Sequence, residues 1–269
     1  MKNLFPGKGS WGKDVILKKV VGNSAYLFAS QVVSAVLGIL TANLLGVASF
    51  GELSLVITFV TNVNRLLSFR MRDFVVRYMG EFLTQNKRQE AAAVLKLAAL
   101  MELATSSLAY LVLVLLSGWG ASNFVKDPAT QNLFIIYGLS IMGNVMAETA
   151  TGALQVTGHF RTQAFLNLVQ SVATAGLFVL VFINQGGVYS VMLVYLAGKM
   201  ILGIGHVVMA LYWLPQSLGK GWWRIPMRGN LPEPKPMLRF AFNTNLSSAV
   251  TIFARDSEVL FVGLSLIHI

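Results

Sequence analysis

Long apolar stretches alternate with short polar gaps along almost the whole chain. The runs at 23–45, 52–70, 91–116, 132–156, 162–184 and 188–214 each approach or exceed the roughly 20 residues that a helix needs to cross the hydrocarbon core. Six spans are predicted, and a seventh begins near Ala241 and is cut off by the end of the chain. The last residues, Leu266–Ile269, carry no flanking charge, so the sequence reads as a fragment.

Polar residues inside these runs recur at helical spacing. The first span has Asn23, Ser30, Ser34 and Thr41, and the second has Thr58, Asn62, Arg65 and Arg72. Glu102 stands with Thr105 and Ser106 in the third. Asn144, Glu148, Thr151 and Gln155 follow at steps of four, three and four in the fourth. Gln163, Asn167, Gln170 and Thr174 mark the fifth, Lys199, Gly203 and His206 the sixth, and Ser248, Thr251, Arg255 and Glu258 the seventh. Steps of three and four keep a side chain on one side of a helix, so each span is expected to carry one wet stripe, and the stripes can converge on a polar interior. Hydroxyls and amides in such stripes also serve simply as interhelical hydrogen bonds worth about 1 kcal/mol each. Charges are a stronger signal, because Arg, Lys or Asp at mid-span costs about 2.5 to 3.5 kcal/mol even on an insertion scale. Lys199, Glu148 and Glu102 stand near mid-span; an internal pair such as Lys199 with Glu148 is the structural alternative to a transport pathway. Arg65 can instead snorkel to the headgroups, and His206 is read as a hydrogen-bonded packing residue.

Charge between the spans sets the orientation. Of the 21 Lys and Arg residues, 18 lie in the amino-terminal arm or in and beside the second, fourth and sixth gaps, against Lys126 alone in the first, third and fifth. Basic residues beside span ends are retained on the cytoplasmic side, which places the amino terminus and the even gaps inside. Lys199 and Arg255 escape the rule.

The gaps divide the chain. The first (46–51) and fifth (185–187) are tight glycine turns, and the third contains Lys126-Asp127-Pro128. In the second, helix continues from Met71 to Leu83, with Asp73–Arg77 and Arg77–Glu81 spaced to pair. A turn follows at Thr84–Asn86, and Asn86 offers a cap for the next helix. The sixth gap holds Pro215, Pro226, Pro232, Pro234 and Pro236 with Trp222 and Trp223 between Lys220 and Arg224, a stiff interfacial linker. The expected organisation is a basic arm (1–22), a six-helix lobe (23–214), a cytoplasmic linker (215–237) and the first helix of a second lobe (238–269).

Composition agrees. Hydrophobic residues make up 55% and charged residues 12% of the chain, with mean hydropathy +0.65, against about a quarter charged in soluble domains. A net charge of +10 beside membrane spans points to anionic lipid headgroups rather than nucleic acid. The absence of cysteine rules out disulfides and thiolate metal sites, and His159, His206 and His268 are too scattered to suggest a metal centre. No nucleophile–base constellation or phosphate-binding glycine loop is evident, so neither enzymatic activity nor a cofactor is expected.

The stretches LLGVASFGELSL after the first span, FRMRDFVVRYMGEFLTQNKRQEAAAVLKLA across the second gap and FARDSEVLFVG in the seventh, with a six-helix unit followed by a linker, resemble the oligosaccharide flippases of bacterial polysaccharide and O-antigen export. These belong to the multidrug/oligosaccharidyl-lipid/polysaccharide exporter superfamily. The resemblance implies an all-α, polytopic membrane bundle, with two six-helix lobes around a cavity and alternating access for a polyprenyl-diphosphate-linked oligosaccharide. Arg65, Lys199 and Arg255 are then expected to attract the diphosphate, and Asn62, Asn144, Gln155, Asn167 and Gln170 to meet the glycan. Glu102, Glu148 and Asp256 become candidates for ion coupling. Membrane lipids and polysaccharide polymerase and glycosyltransferase machinery are the expected partners. The alternatives are a multidrug exporter of the same superfamily, which would favour an acidic aromatic pocket, and a structural membrane protein, which would leave the aligned stripes without a purpose.

Overall fold

The computed structural model describes residues 13–231 and 233–255. In order they form α1 (Lys13–Leu67), α2 (Met71–Thr84), α3 (Arg88–Gly120), α4 (Gln131–Gly143), α5 (Ala147–Val156), α6 (Phe160–Ile183), α7 (Val188–Leu218) and α8 (Pro234–Arg255). The chain is an all-α, polytopic membrane helix bundle. Among the described residues, five helical segments are long and apolar enough to cross a membrane: Ser24–Thr84, Arg88–Val125, Pro128–Val156, Phe160–Ile183 and Val188–Leu218. Phe28, Leu115, Ile183 and Leu211 point outward with most of their surface uncovered, an arrangement suited to hydrocarbon and unsuited to water.

The first segment holds two of the six expected spans. Thr41 meets the Tyr195 hydroxyl at 3.2 Å, while Arg65 lies within electrostatic reach of Lys199, one turn further along α7. A straight helix would hold residues 41 and 65 about 36 Å apart, so α1 must reverse direction between them. The reversal falls at Gly46, the one residue with non-helical torsions inside α1 (φ 75°, ψ 169°). That region of torsion space is essentially closed to residues with a Cβ. Gly46→Ala is therefore expected to destabilise the fold by about 1–3 kcal/mol, read as a lower thermal midpoint in detergent, whereas Gly51→Ala, in open space with helical torsions, is expected to be neutral.

Two cores stack along the bundle. Leu53, Val56, Phe59, Leu113, Phe134 and Phe178 fill one, with Phe59 edge-on to Phe134 at 5.3 Å. Met71, Phe74, Met79, Ala91, Leu95, Ala98, Leu154, Leu214, Trp222 and Met237 fill the other, at the basic end.

Several local expectations are corrected. The second span does not run on as one helix: Ser68–Arg70 interrupts it, and α2 is separate. Asp73 pairs with Arg70 (3.7 Å) and Arg72 (3.6 Å) rather than with Arg77, because Arg77 instead lies 4.6 Å over the Phe240 ring of α8. Asn86 supplies a left-handed turn residue (φ 59°), and Lys87 occupies the N-cap of α3. The connection after α7 is shorter than expected. α7 carries Pro215 internally and ends at Leu218, since one missing amide near a C-terminus costs little ladder. Pro234 starts α8, at a position whose amide needs no helical partner. The Lys126-Asp127-Pro128 turn forms as expected, Asp127 accepting from the Ala129 amide at 2.9 Å.

The fourth span departs most from expectation. It is two helices, α4 and α5, separated at Asn144–Met146, so Asn144, Glu148, Thr151 and Gln155 do not form one continuous stripe. Gly143 and Asn144 are weak helix formers, and the Gly143 carbonyl is pressed against Gly203 of α7, where a Cβ would collide with it. The amides freed at the start of α5 are taken by Glu102 of α3: Glu148 N–H donates to Oε1 at 2.9 Å and Thr149 N–H to Oε2 at 2.8 Å.

Candidate functional site

A polar recess of ≈ 450 Å³ opens between the first arm of α1, α6 and α7. Ser34 lines it from α1, Gln170, Ser171 and Thr174 from α6, and Tyr195 and Lys199 from α7. Each side chain is placed by helical periodicity: Gln170 and Thr174 are one turn apart, as are Tyr195 and Lys199. Thr174 donates to the Gln170 carbonyl at 2.8 Å and receives the Gln170 amide at 3.0 Å. Thr41 spends its proton on the Leu37 carbonyl at 2.7 Å, so Tyr195 is the donor in their 3.2 Å contact and is held in place across α1 and α7.

Lys199 is the charged residue of the recess and is exposed within it. Among the described residues no carboxylate lies at ion-pair distance from its ammonium. The expected pairing with Glu148 does not form, because the break after Gly143 carries Glu148 to the start of α5, where its side chain is exposed. The neighbouring charge felt by Lys199 is instead Arg65, at the exposed last turn of the second arm of α1. Two cations held near each other raise the local positive potential, which attracts an anion.

The structure sorts the remaining candidates by place. Gln170 lines the recess, and Asn167, one turn away, is half-buried and donates to the Gln163 carbonyl of its own helix at 2.9 Å. Asn144 donates to the Ser140 carbonyl at 2.8 Å and to the Lys199 carbonyl at 3.3 Å, tying the break in the fourth span to α7 behind the lysine. Asn62 is buried, and its amide nitrogen has no hydrogen-bond partner among the described residues. Gln155 is half-buried in α5, outside the recess. Glu102 is buried as the cap of α5. His206 is buried against the Leu202 carbonyl at 2.8 Å, a packing role. Arg255 closes α8, but its side chain lies outside the described residues, as does the whole of Asp256. Two polar recess residues went unmarked in the sequence, Ser171 and Tyr195. The step of four between Tyr195 and Lys199 was the available signal for the second.

Residues 39–268 match the polysaccharide biosynthesis protein family, a span that takes in most of the chain. The chain belongs to that family. Over 173 residues it is 25% identical to the inner membrane protein YghQ of Escherichia coli (strain K12), an alignment covering 60% of this chain and 48% of that protein. The chain thus spans about half the length of the curated relative it matches. No solved structure matches it. The family match takes in Gln170, Thr174, Tyr195, Lys199 and Arg65, whereas Ser34 and Leu37 precede it.

Proposed function

We propose that this polysaccharide biosynthesis protein serves as a flippase in the bacterial inner membrane. It would move a polyprenyl-diphosphate-linked oligosaccharide outward by alternating access, with its amino terminus in the cytoplasm. The observation that carries the reading is Lys199, which lines a polar recess without a carboxylate partner among the described residues and has Arg65 as a charged neighbour. The diphosphate would sit on Lys199, with Arg65 near enough to add positive charge and an Arg fork able to take two phosphate oxygens at once. Ser34, Gln170 and Tyr195 meet glycan hydroxyls, and the polyprenyl chain remains in lipid. Relatedness to an inner membrane protein and to the polysaccharide family supports the location and the substrate class. Coupling to an ion gradient falls to Glu102, whose carboxylate accepts the Glu148 backbone amide at the break in the fourth span, to Glu148 beside it, and to Asp256. A drug exporter for cationic compounds fits less well, because no acid among the described residues lines the recess.

Binding of a polyprenyl-diphosphate oligosaccharide to the protein in nanodiscs tests the reading. Lys199→Ala or Arg65→Ala is expected to weaken it roughly 10- to 100-fold, the worth of one charge-assisted contact, while Lys199→Arg retains it. Unchanged affinity in the double Ala variant, with the protein folded, sinks the proposal.

A further inference from the structure

A second opening lies further along α7. It is a groove of ≈ 410 Å³ between α3, α5 and α7, walled by Leu95, Ala99, Ala150, Ala153, Ala210 and Leu211. Alanines contributed by all three helices leave the space unfilled. The two openings share no lining residue: Tyr195 and Lys199 line one, and Ala210 and Leu211, about three turns further along α7, line the other. Leu211 is exposed, and so is Leu100, which follows the lining residue Ala99 on α3, so the groove lies on the hydrocarbon-facing surface.

Its basic end is closed by Trp222 and Lys96. Trp222 is buried and edge-on to the exposed Trp223 at 6.3 Å, and an amphipathic indole pair of this kind marks headgroup depth. Lys96 is the charged residue lining the groove. Its ammonium donates to the Ile225 carbonyl and, at 3.4 Å, to the Trp223 carbonyl, and no carboxylate of the described residues pairs with it. Two of its three donors are thus fixed on neutral acceptors, its charge is uncancelled, and one donor remains. Lys220, Arg224 and Arg228, all exposed on the same connection, add to the positive potential.

We infer that this groove is a binding site for one anionic phospholipid of the surrounding bilayer, its acyl chain between α3, α5 and α7 and its phosphate on Lys96. Charge complementarity selects an anionic headgroup over a zwitterionic one. Because the two openings share no lining residue, the occupant is a resident lipid, distinct from the lipid-linked cargo proposed for the recess.

The test is native mass spectrometry of the full chain released from nanodiscs of equal phosphatidylglycerol and phosphatidylcholine. One phosphatidylglycerol is expected to be retained roughly tenfold over phosphatidylcholine, the preference a single charge-assisted contact supports. Lys96→Gln should bring the ratio to parity, and Ala99→Leu or Leu211→Phe, which fill the groove from its walls, should remove retained lipid of both kinds. Because Leu211 is exposed on the lip, Leu211→Phe tests the site even if Lys96→Gln loosens the connection. Equal retention of the two lipids by the unaltered protein overturns the inference. So does unchanged retention in the filled variants, or displacement of phosphatidylglycerol by stoichiometric polyprenyl phosphate.

Discussion

Replacing Glu102 with Gln is expected to destabilise the protein by about 2–4 kcal/mol, because each buried donor left without a partner costs about 1–3 kcal/mol. In the native arrangement both carboxylate oxygens are occupied, one by the Glu148 amide and one by the Thr149 amide, at the first turn of α5. Gln offers one acceptor, and its own NH₂ then faces an N–H. Glu102→Ala removes both acceptors, leaves a void in the buried side of α3, and should be worse. Thermal unfolding in detergent reads the loss directly. A Gln variant that melts with the wild type would show that α5 does not depend on the cap. The carboxylate acts as a capping residue on a helix that begins inside the membrane, where no water is available to satisfy the freed amides. Any role in ion coupling at this position must therefore work through the hold of Glu102 on α5.

The same residue shows where sequence reading reached its limit. Glu102 was conspicuous in the sequence as a mid-span acid, yet its partners are backbone amides of another helix, and backbone groups leave no mark in the order of side chains. The periodicity of Asn144, Glu148, Thr151 and Gln155 was genuine, but it could not report that the helix carrying them is broken at Asn144–Met146. Gly143 and Asn144 were the local hint, and only the approach of α7 turns weak helix propensity into a break. Elsewhere the apolar pattern located the spans well, since burial in hydrocarbon constrains every backbone group to helix. The reversal at Gly46 lies where a glycine turn was expected, although the helical hydrogen bonding runs to it from both sides. For the recess, Lys199 and Gln170 were legible as polar interruptions in apolar runs. Tyr195 was not, because an aromatic ring in a membrane helix looks like core until the Thr41 hydroxyl is found against it.

Gly203→Val is expected to be at least as damaging as any recess substitution, although Gly203 lines neither the recess nor the groove. A Cβ there would run into the Gly143 carbonyl and come within 2.6 Å of Asn144 Oδ1 and 2.9 Å of Asn144 Cγ. The first of these is backbone at the end of α4, which cannot swing aside as a flexible side chain can. Overpacking of this kind costs about 1–3 kcal/mol and more where the obstacle is rigid, so Gly203→Ala should fall in that range and Gly203→Val beyond it. The displacement also has a direction. Pushing α7 from the end of α4 breaks the Asn144 contact to the Lys199 carbonyl, now 3.3 Å, and moves Lys199 relative to α6. Gly203→Ala should therefore weaken substrate binding as well as lower the melting point, while a variant such as Gly205→Ala, whose Cβ meets the Leu166 side chain at 3.0 Å, should be milder in both measurements. Loss of stability in Gly203→Ala with full retention of binding would show that the recess tolerates a shift of α7. It would also separate the packing of the fourth span from the placement of Lys199.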